Sequence, residues 1–293
     1  MTVEQLFNAV FNAGLFVMIV TLVMSLGMGF TVAQVLAPLR RVWVFVVALA
    51  INVIIVPLVA WGLAKHFPIT SDQVVGLVLV CIASAGPAGL KAAQLAKRAD
   101  MALAVSLVIV LQLVNIVAAP LWARAVVTGA SVSASMIIKD LLILVLVPLV
   151  LGLAGHARYT EHAEAWKQGL EKISNIALYL AIATGIAVNW SDIVSLLGSW
   201  VLVAASVMIL VFMGLGALIG LKDRSTAISG AMVTGMRFQP IGLIIITTQL
   251  SGNSAYLAPA LVFALIDTFL MFGIGIELGR RAPQPQPSTS GAH

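Results

Sequence analysis

Two short stretches decide the fold: ASAGPAGLK at residues 83–91 and GMRFQPIG at residues 235–242. Each stretch places proline, glycine and polar side chains near the middle of an otherwise apolar segment. Proline removes a backbone donor and clashes with the carbonyl four residues earlier, so it interrupts a helix. In lipid the freed backbone groups have no water to bind, and a break persists only where protein or an aqueous cavity satisfies them. The sequence therefore predicts two discontinuous helices. The residues assigned to the breaks are Gly86, Pro87 and Gly89 in the first stretch, and Pro240 and Gly242 in the second.

Composition places the rest of the chain in a membrane. Of the 293 residues, 61% are hydrophobic and 9% are charged, whereas a soluble domain carries about a quarter charged residues. A helix needs about 20 apolar residues to span a bilayer. The apolar segments of about that length are 10–30, 42–63, 74–97, 101–126, 136–155, 171–189, 198–221, 225–250 and 256–279. The sequence thus predicts an all-α integral membrane protein with nine transmembrane helices, a lipid bilayer around it and no separate soluble domain.

The basic residues predict the orientation of the helices. They concentrate in alternate short connections, which is the pattern of cytoplasmic loops and not of a surface that binds nucleic acid. These residues are Arg40, Arg41, Lys97, Arg98, Arg158, Lys167, Lys222, Arg224, Arg280 and Arg281, against Lys65, Arg124 and Lys139 in the opposite connections. We therefore expect an N-terminus outside and a C-terminus in the cytoplasm, in the plasma (inner) membrane. The tail 282–293 is rich in proline and serine and is predicted to be disordered.

The two broken segments are the third and the eighth, so they cross the membrane in opposite directions. Matching interrupted helices of opposite direction are typical of an inverted-repeat transporter whose site lies where they cross. Two ordinary proline kinks are the alternative interpretation, and the sequence leaves it open.

Several motifs resemble those of the bile acid:sodium symporter (BASS, or SBF-like) superfamily. They are LGMGFT at 26–31, the stretch 84–105, Gly235-Met236 with Gln239 and Gly242, and APALVF at 258–263. The resemblance implies one transmembrane domain, 1–281, followed by the tail. It further implies core helices within 42–126 and 198–279, and panel helices at 10–30, 136–155 and 171–189. Organic anions pass between core and panel in that family, usually with two sodium ions.

The chain departs from that family where sodium would bind. Sodium is a hard cation that takes oxygen ligands, and the family supplies them from a glutamate, a glutamine, an asparagine and hydroxyl groups. By the resemblance the corresponding positions here are Val233, Arg237, Leu90 or Lys91, Ala104 and Val108, and Asn52 alone keeps an amide. Valine, leucine and arginine cannot form a cation site, so the sequence argues against coupling to sodium through these ligands, and we expect no metal and no cofactor.

Fixed charges stand in the same segments. Arg237 lies about 18 Å into its helix at about 1.5 Å per residue, and Asp267 lies at a similar depth. Each charge costs about 2.5–3.5 kcal/mol on insertion scales, so we expect both to face the interior, with each other as one possible partner. A structural salt bridge without contact to substrate is the alternative. Lys91 either joins Arg237 in replacing the sodium ions or extends to the cytoplasmic interface.

Other polar residues predicted at mid-span are Gln112, Asn115, Gln239 and Thr268. Interhelical hydrogen bonds and cavity lining are both open for them. The single cysteine, Cys81, lies inside an apolar run and is interpreted as a packing residue. No catalytic or nucleotide-binding motif is present, so an enzyme is not expected.

The predicted function is sodium-independent secondary transport of a small organic anion by alternating access, either as a uniport or linked to protons through Asp267. A sodium-coupled symporter of bile-acid-like anions, and a membrane sensor that keeps the fold without transport, are the alternatives. The sequence specifies neither the anion nor the oligomeric state.

Overall fold

The computed structural model describes residues 3–31, 33–34, 41–127, 133–221 and 223–281, and no strand occurs among them. The helices are α1 (Val3–Met28), α2 (Val42–His66), α3 (Ser71–Ile82), α4 (Ala88–Leu95), α5 (Met101–Val126), α6 (Ala134–Arg158), α7 (Ala163–Val188), α8 (Trp190–Ser195), α9 (Trp200–Ala217), α10 (Arg224–Gly235), α11 (Gln239–Gln249) and α12 (Ser254–Arg280). Arg40, Lys222 and the tail 282–293, which the sequence analysis used, lie outside the described residues.

The helices confirm the all-α membrane class. In the described part of the chain, 8 helices are long and apolar enough to cross a membrane, and α10 with α11 count together as one of them. The segment 74–97, predicted as one span, is divided into α3 and α4, and α3 has only 12 residues. Neither of these two helices spans a bilayer alone, because about 20 residues are needed.

Short polar residues begin several helices. Thr70 and Gln73 form a reciprocal capping box at the start of α3, which satisfies two backbone donors that have no partner within the helix. Asp100 accepts from the first turn of α5, and Asp223 does the same for α10. The hydrogen bonds that Asp223 accepts, chiefly from the Thr226 side chain, lower its pKa to about 2.

The middle of α2 is a π-helical segment, Ala50–Ile55. Pro57 follows it and has no N–H, so a carbonyl group one turn earlier lacks its helical donor. The indole of Trp122 donates to the carbonyl of Val53 at 2.7 Å. A π-helical turn is often found at functional sites, and this one places the buried side chain of Asn52 toward the protein interior.

Packing separates the helices into two groups. In the first group, α1 packs most extensively along α7 and then along α6. In the second group, α12 packs against α3, α4 and α9, and α10 packs against α9. The contact of α1 with α6 is close, because a Cβ at Gly27 would lie 2.5 Å from the carbonyl oxygen of Leu149. A hydrogen bond from Ser174 to the Met18 carbonyl, 3.1 Å, ties α7 to α1.

Candidate functional site

The break between α3 and α4 lies against the break between α10 and α11. The amide of Gly86 donates to the carbonyl of Met236 and the amide of Phe238 donates to the carbonyl of Ala83, both at 3.2 Å. A Cβ at Gly86 would lie 3.1 Å from the carbonyl oxygen of Arg237, so glycine allows this close approach. The two stretches that the sequence singled out therefore form one contact, which we call the crossing (residues 83–87 and 236–238).

Side chains from α5 satisfy the backbone of the first break. Asn115 accepts from the amide of Ser84 at 3.0 Å and from its hydroxyl at 2.8 Å, and donates to its carbonyl at 2.9 Å. Gln112 donates to the carbonyl of Ala85 at 2.8 Å, and Ala85 has a positive φ of 44°. Buried backbone groups need partners wherever they lie. Gln112 and Asn115 thus make interhelical hydrogen bonds, one of the two interpretations left open by the sequence.

Arg237 is buried, with 1% of its surface exposed, and its guanidinium points toward α2 and α3. Nε and Nη2 donate to the carbonyl of Cys81 at 3.0 and 2.7 Å, and Nη1 donates to Oδ1 of Asn52 at 3.0 Å. Nη2 also donates to the carbonyl of Asn52 at 3.4 Å. The Cys81 carbonyl belongs to the last turn of α3, where helical donors are absent and a cation is favoured.

Asn52 is in turn fixed by other groups. Its amide nitrogen donates to the hydroxyl of Thr234 on α10 and to the carbonyl of Ala48, both at 3.0 Å. The side chain of Asn52 therefore links α2 to α10 and presents one oxygen to the guanidinium of Arg237. This residue, the one amide that the resemblance retained, is part of the buried network.

Asp267, on α12, contacts Arg237 through the backbone. Oδ2 accepts from the Arg237 amide at 3.2 Å and from Nε2 of Gln239, whereas Oδ1 has no hydrogen-bond partner. Within the described ranges no ion pair joins the guanidinium to this carboxyl within 4.0 Å. The two residues are adjacent, as expected, but the guanidinium binds Cys81 and Asn52 instead of the carboxylate. In the broken segment the N–H and the side chain of Arg237 point to different neighbours.

Lys91 is not part of this network. Its side chain is half-buried on α4 and makes no hydrogen bond or ion pair with any residue that the structure describes. The structure thus brings Asn52 to Arg237 at the crossing, and Lys91 has no contact with this network among the described residues.

The prolines and glycines of the breaks occupy helix starts and close contacts. Pro87 directly precedes α4, and Pro240 lies in the first turn of α11, where its missing N–H would have no helical partner. A Cβ at Gly242 would lie 2.5 Å from a carbonyl oxygen of α3, and one at Gly89 would lie 3.3 Å from a carbonyl of α10. These glycines let the broken helices pack backbone to backbone.

A small cavity of about 50 Å³ lies between the two helix groups, lined by α1 and α7 on one side and by α11 and α12 on the other. Gln239 and Thr268 are its polar lining residues, and the remaining lining is apolar and includes Phe11, Leu15 and Leu261. The hydroxyl of Thr268 donates to the carbonyl of Ala264 at 2.8 Å. Gln239 therefore contacts both the cavity and the Asp267 carboxyl.

Sequence reasoning missed three groups of the site. The Cys81 carbonyl receives the guanidinium, but a backbone acceptor leaves no trace in the residue type. Ser84 and Thr234 hold Asn115 and Asn52. Both hydroxyl residues lie in or just before the quoted stretches, so their position next to the breaks was the available signal.

Comparison with known proteins supplies the family. The family model described as Sodium Bile acid symporter family matches residues 15–196, which is more than half of the chain. No curated protein matches. The matched part includes α2 to α8 and ends before α9, so Arg237, Gln239 and Asp267 lie beyond it. Proteins of this family are membrane transporters, and the chain belongs to the Sodium Bile acid symporter family.

Proposed function

We propose that this protein is a secondary transporter that carries a small organic anion by alternating access, without coupling to sodium through the ligands usual in its family. It lies in the plasma (inner) membrane with its N-terminus outside and its C-terminus in the cytoplasm. Membership of a family of transporters and the apolar helices support the general role. We propose in addition that the substrate is a small organic anion, that its transport is not coupled to sodium, and that the N-terminus lies outside.

The crossing supports an inverted repeat. The α3–α4 pair and the α10–α11 pair are each interrupted where they meet, and each break supplies one amide to the other. Counting α3 with α4 as one crossing of the membrane gives nine crossings in the described part of the chain. Two kinks without a shared site would not require these reciprocal hydrogen bonds, so the geometry favours the repeat.

The packing supports a panel that moves against a core. α1, α6 and α7 form the panel in this proposal, and the helices around the crossing form the core. The cavity lies on their boundary, with Gln239 and Thr268 facing it from the core side. An anion bound there would be exposed to either side of the membrane as the boundary opened at one end or the other.

The single observation that carries the proposal is the position of the Arg237 guanidinium. It occupies the position at which the resemblance places a sodium-binding glutamine, and it donates to the oxygen atoms of Asn52 and Cys81. A sodium ion about 4 Å away would be repelled by about 4 kcal/mol at an effective dielectric constant of about 20. That energy corresponds to roughly a thousandfold loss of sodium affinity. Arg237 thus acts as a fixed cation where related proteins hold an ion.

Uptake into proteoliposomes tests this proposal. A thermal-shift screen of carboxylates and sterol-like anions selects the probe, and its radiolabelled form is then followed under sodium, potassium or choline gradients of equal ionic strength. We expect equal uptake in all three. A steep dependence on sodium would support the ordinary symporter instead, and saturable binding without flux would support the sensor.

Arg237→Gln provides the matched variant, because it restores the amide that the family carries. We expect a large loss of flux while the protein still inserts, since the fixed cation and its hydrogen bonds are gone. Undiminished flux in this variant would remove Arg237 from the mechanism.

A further inference from the structure

We propose that Asp267 carries a proton that is transported together with the anion, and that Gln239 links the two. This inference rests on the proposed function and names the coupling ion for the same site. It follows from the hydrogen bonding of the carboxyl, from the direction of the Arg237 guanidinium and from the position of Gln239.

The carboxyl of Asp267 is fully buried but only half satisfied. Oδ2 accepts from the Arg237 amide and from the Gln239 side chain, while Oδ1 has no partner among the described residues. A buried, ionised carboxyl with one bare oxygen is unfavourable unless a cation lies against it. A proton on Oδ1 removes the charge at the oxygen atom that has no other partner.

No cation in the described part of the chain lies against this oxygen. The Arg237 guanidinium is the nearest cation, and its donors are used by Cys81 and Asn52 on the side away from α12. Cys81, on α3, is the other buried titratable side chain near the carboxyl, and α9 and α11 carry none. The remaining charged or titratable side chains on α12 and on the helices packed against it are all at least partly exposed: Asp72, Lys91, Glu164, Lys167, Glu171, Lys172, Tyr179, Asp192, Arg224, Tyr256, Glu277 and Arg280.

Gln239 connects this carboxyl to the cavity. Gln239 lines the cavity, and its side-chain Nε2 donates to Oδ2 of Asp267. An anion in the cavity competes for the same amide N–H groups. When the anion takes them, Oδ2 loses a donor, and a proton becomes the means of neutralising the carboxyl.

The cycle balances in charge. Asp267 takes up one proton from the side to which the cavity is open, and one monovalent anion binds beside Gln239. Both are released on the other side, and the empty carrier returns with Asp267 ionised opposite the constant charge of Arg237. Uptake of a monoanion is therefore electroneutral, and a pH gradient drives it.

The first experiment tests the proton without any substrate. Infrared difference spectra of the reconstituted protein are recorded as the pH is changed, and the C=O stretching band of a protonated buried carboxyl is followed. We expect the band in the native protein and in Glu277→Gln, which removes an exposed carboxyl from the same helix, but not in Asp267→Asn. A band that persists in Asp267→Asn, or is absent from the native protein, overturns the assignment.

Gln239→Leu is a second variant that keeps the carboxyl, in case Asp267→Asn fails to fold. It should shift the band because Oδ2 loses a donor. An unshifted band would overturn the link.

The second experiment tests the coupling with the anion chosen by the thermal-shift screen. We expect an inward proton gradient to raise its uptake at least tenfold over no gradient, and an imposed membrane potential to leave the rate unchanged. Asp267→Asn should lose the response to the gradient. Flux that ignores the gradient overturns the coupling but leaves the sodium-independent transporter in place. An absence of flux under every gradient overturns the proposed function itself, and the coupling with it, while the infrared band then reports proton binding alone.

Discussion

Asn52→Leu is expected to destabilise the protein by about 3 kcal/mol. The leucine keeps the branched shape of the side chain but removes the hydrogen bond from Nη1 of Arg237, 3.0 Å, and the one to Thr234, also 3.0 Å. A buried hydrogen bond to a charged group contributes about 1.5–3 kcal/mol, and a neutral one about 1 kcal/mol. At about 2 °C per kcal/mol for a chain of this size, the unfolding midpoint should fall by about 6 °C.

The chain supplies its own reporter for this measurement. Cys81 is the single cysteine, it is fully buried, and its carbonyl is one of the acceptors of Arg237. A fluorogenic maleimide therefore reacts only when the region around the crossing opens, and the rise of fluorescence with temperature gives the midpoint in detergent. No additional cysteine is needed.

Asn52→Asp is the matched control. It keeps an oxygen opposite Nη1 of Arg237 and adds a charge that attracts the guanidinium, but it loses the donor to the Ala48 carbonyl. Its midpoint should therefore lie above that of Asn52→Leu. The reasoning fails if the leucine and aspartate variants unfold at the same temperature, because the guanidinium would then not depend on Asn52.

Three further changes test other parts of the network. Asn115→Leu leaves the amide and the carbonyl of Ser84 without partners and should lower the free energy of unfolding by about 2–6 kcal/mol. Ser84→Ala removes only the hydroxyl and should lower it by about 1 kcal/mol. Equal unfolding midpoints of the two variants in the same maleimide assay would contradict the role of Asn115. Arg237→Lys keeps the charge but not the planar fork that reaches two acceptors, so initial uptake should drop at least tenfold, and native rates would show that charge alone suffices. Because its pKa is lowered to about 2 from 3.8, Asp223 adds stability that is present above about pH 4 and lost as the pH falls toward about 2. In Asp223→Asn the unfolding midpoint should therefore depend less on pH in this range than it does in the native protein. An equal dependence in both proteins would contradict this reasoning.

The breaks could be predicted from the sequence because proline acts locally. Pro87 and Pro240 remove donors wherever the chain folds, and helices do end and begin within a few residues of both. The burial of Arg237 and Asp267 was predictable for a similar reason, since a charge in lipid is unfavourable whatever its neighbours. The count of full-length spans could not be predicted in the same way, because segment 74–97 is long enough for one span but is divided into α3 and α4.

The partners of the charges could not be predicted in the same way. The sequence offered Asp267 as one possible partner of Arg237, and the structure gives that carboxyl only the backbone amide of this residue. The guanidinium instead binds a backbone carbonyl 156 residues away and an amide side chain 185 residues away. A carbonyl has no residue-type signature, and its availability depends on where α3 ends.

By itself the sequence determined the membrane class, the two broken helices and the burial of Arg237 and Asp267, because hydropathy and proline act on each segment alone. The tertiary structure alone decided that the breaks meet, that Asn115 and Gln112 satisfy one of them, and that Arg237 binds the oxygens of Cys81 and Asn52. Those outcomes depend on which buried polar groups lie within hydrogen-bonding distance after the helices pack. That distance is set by contacts between segments far apart in the chain.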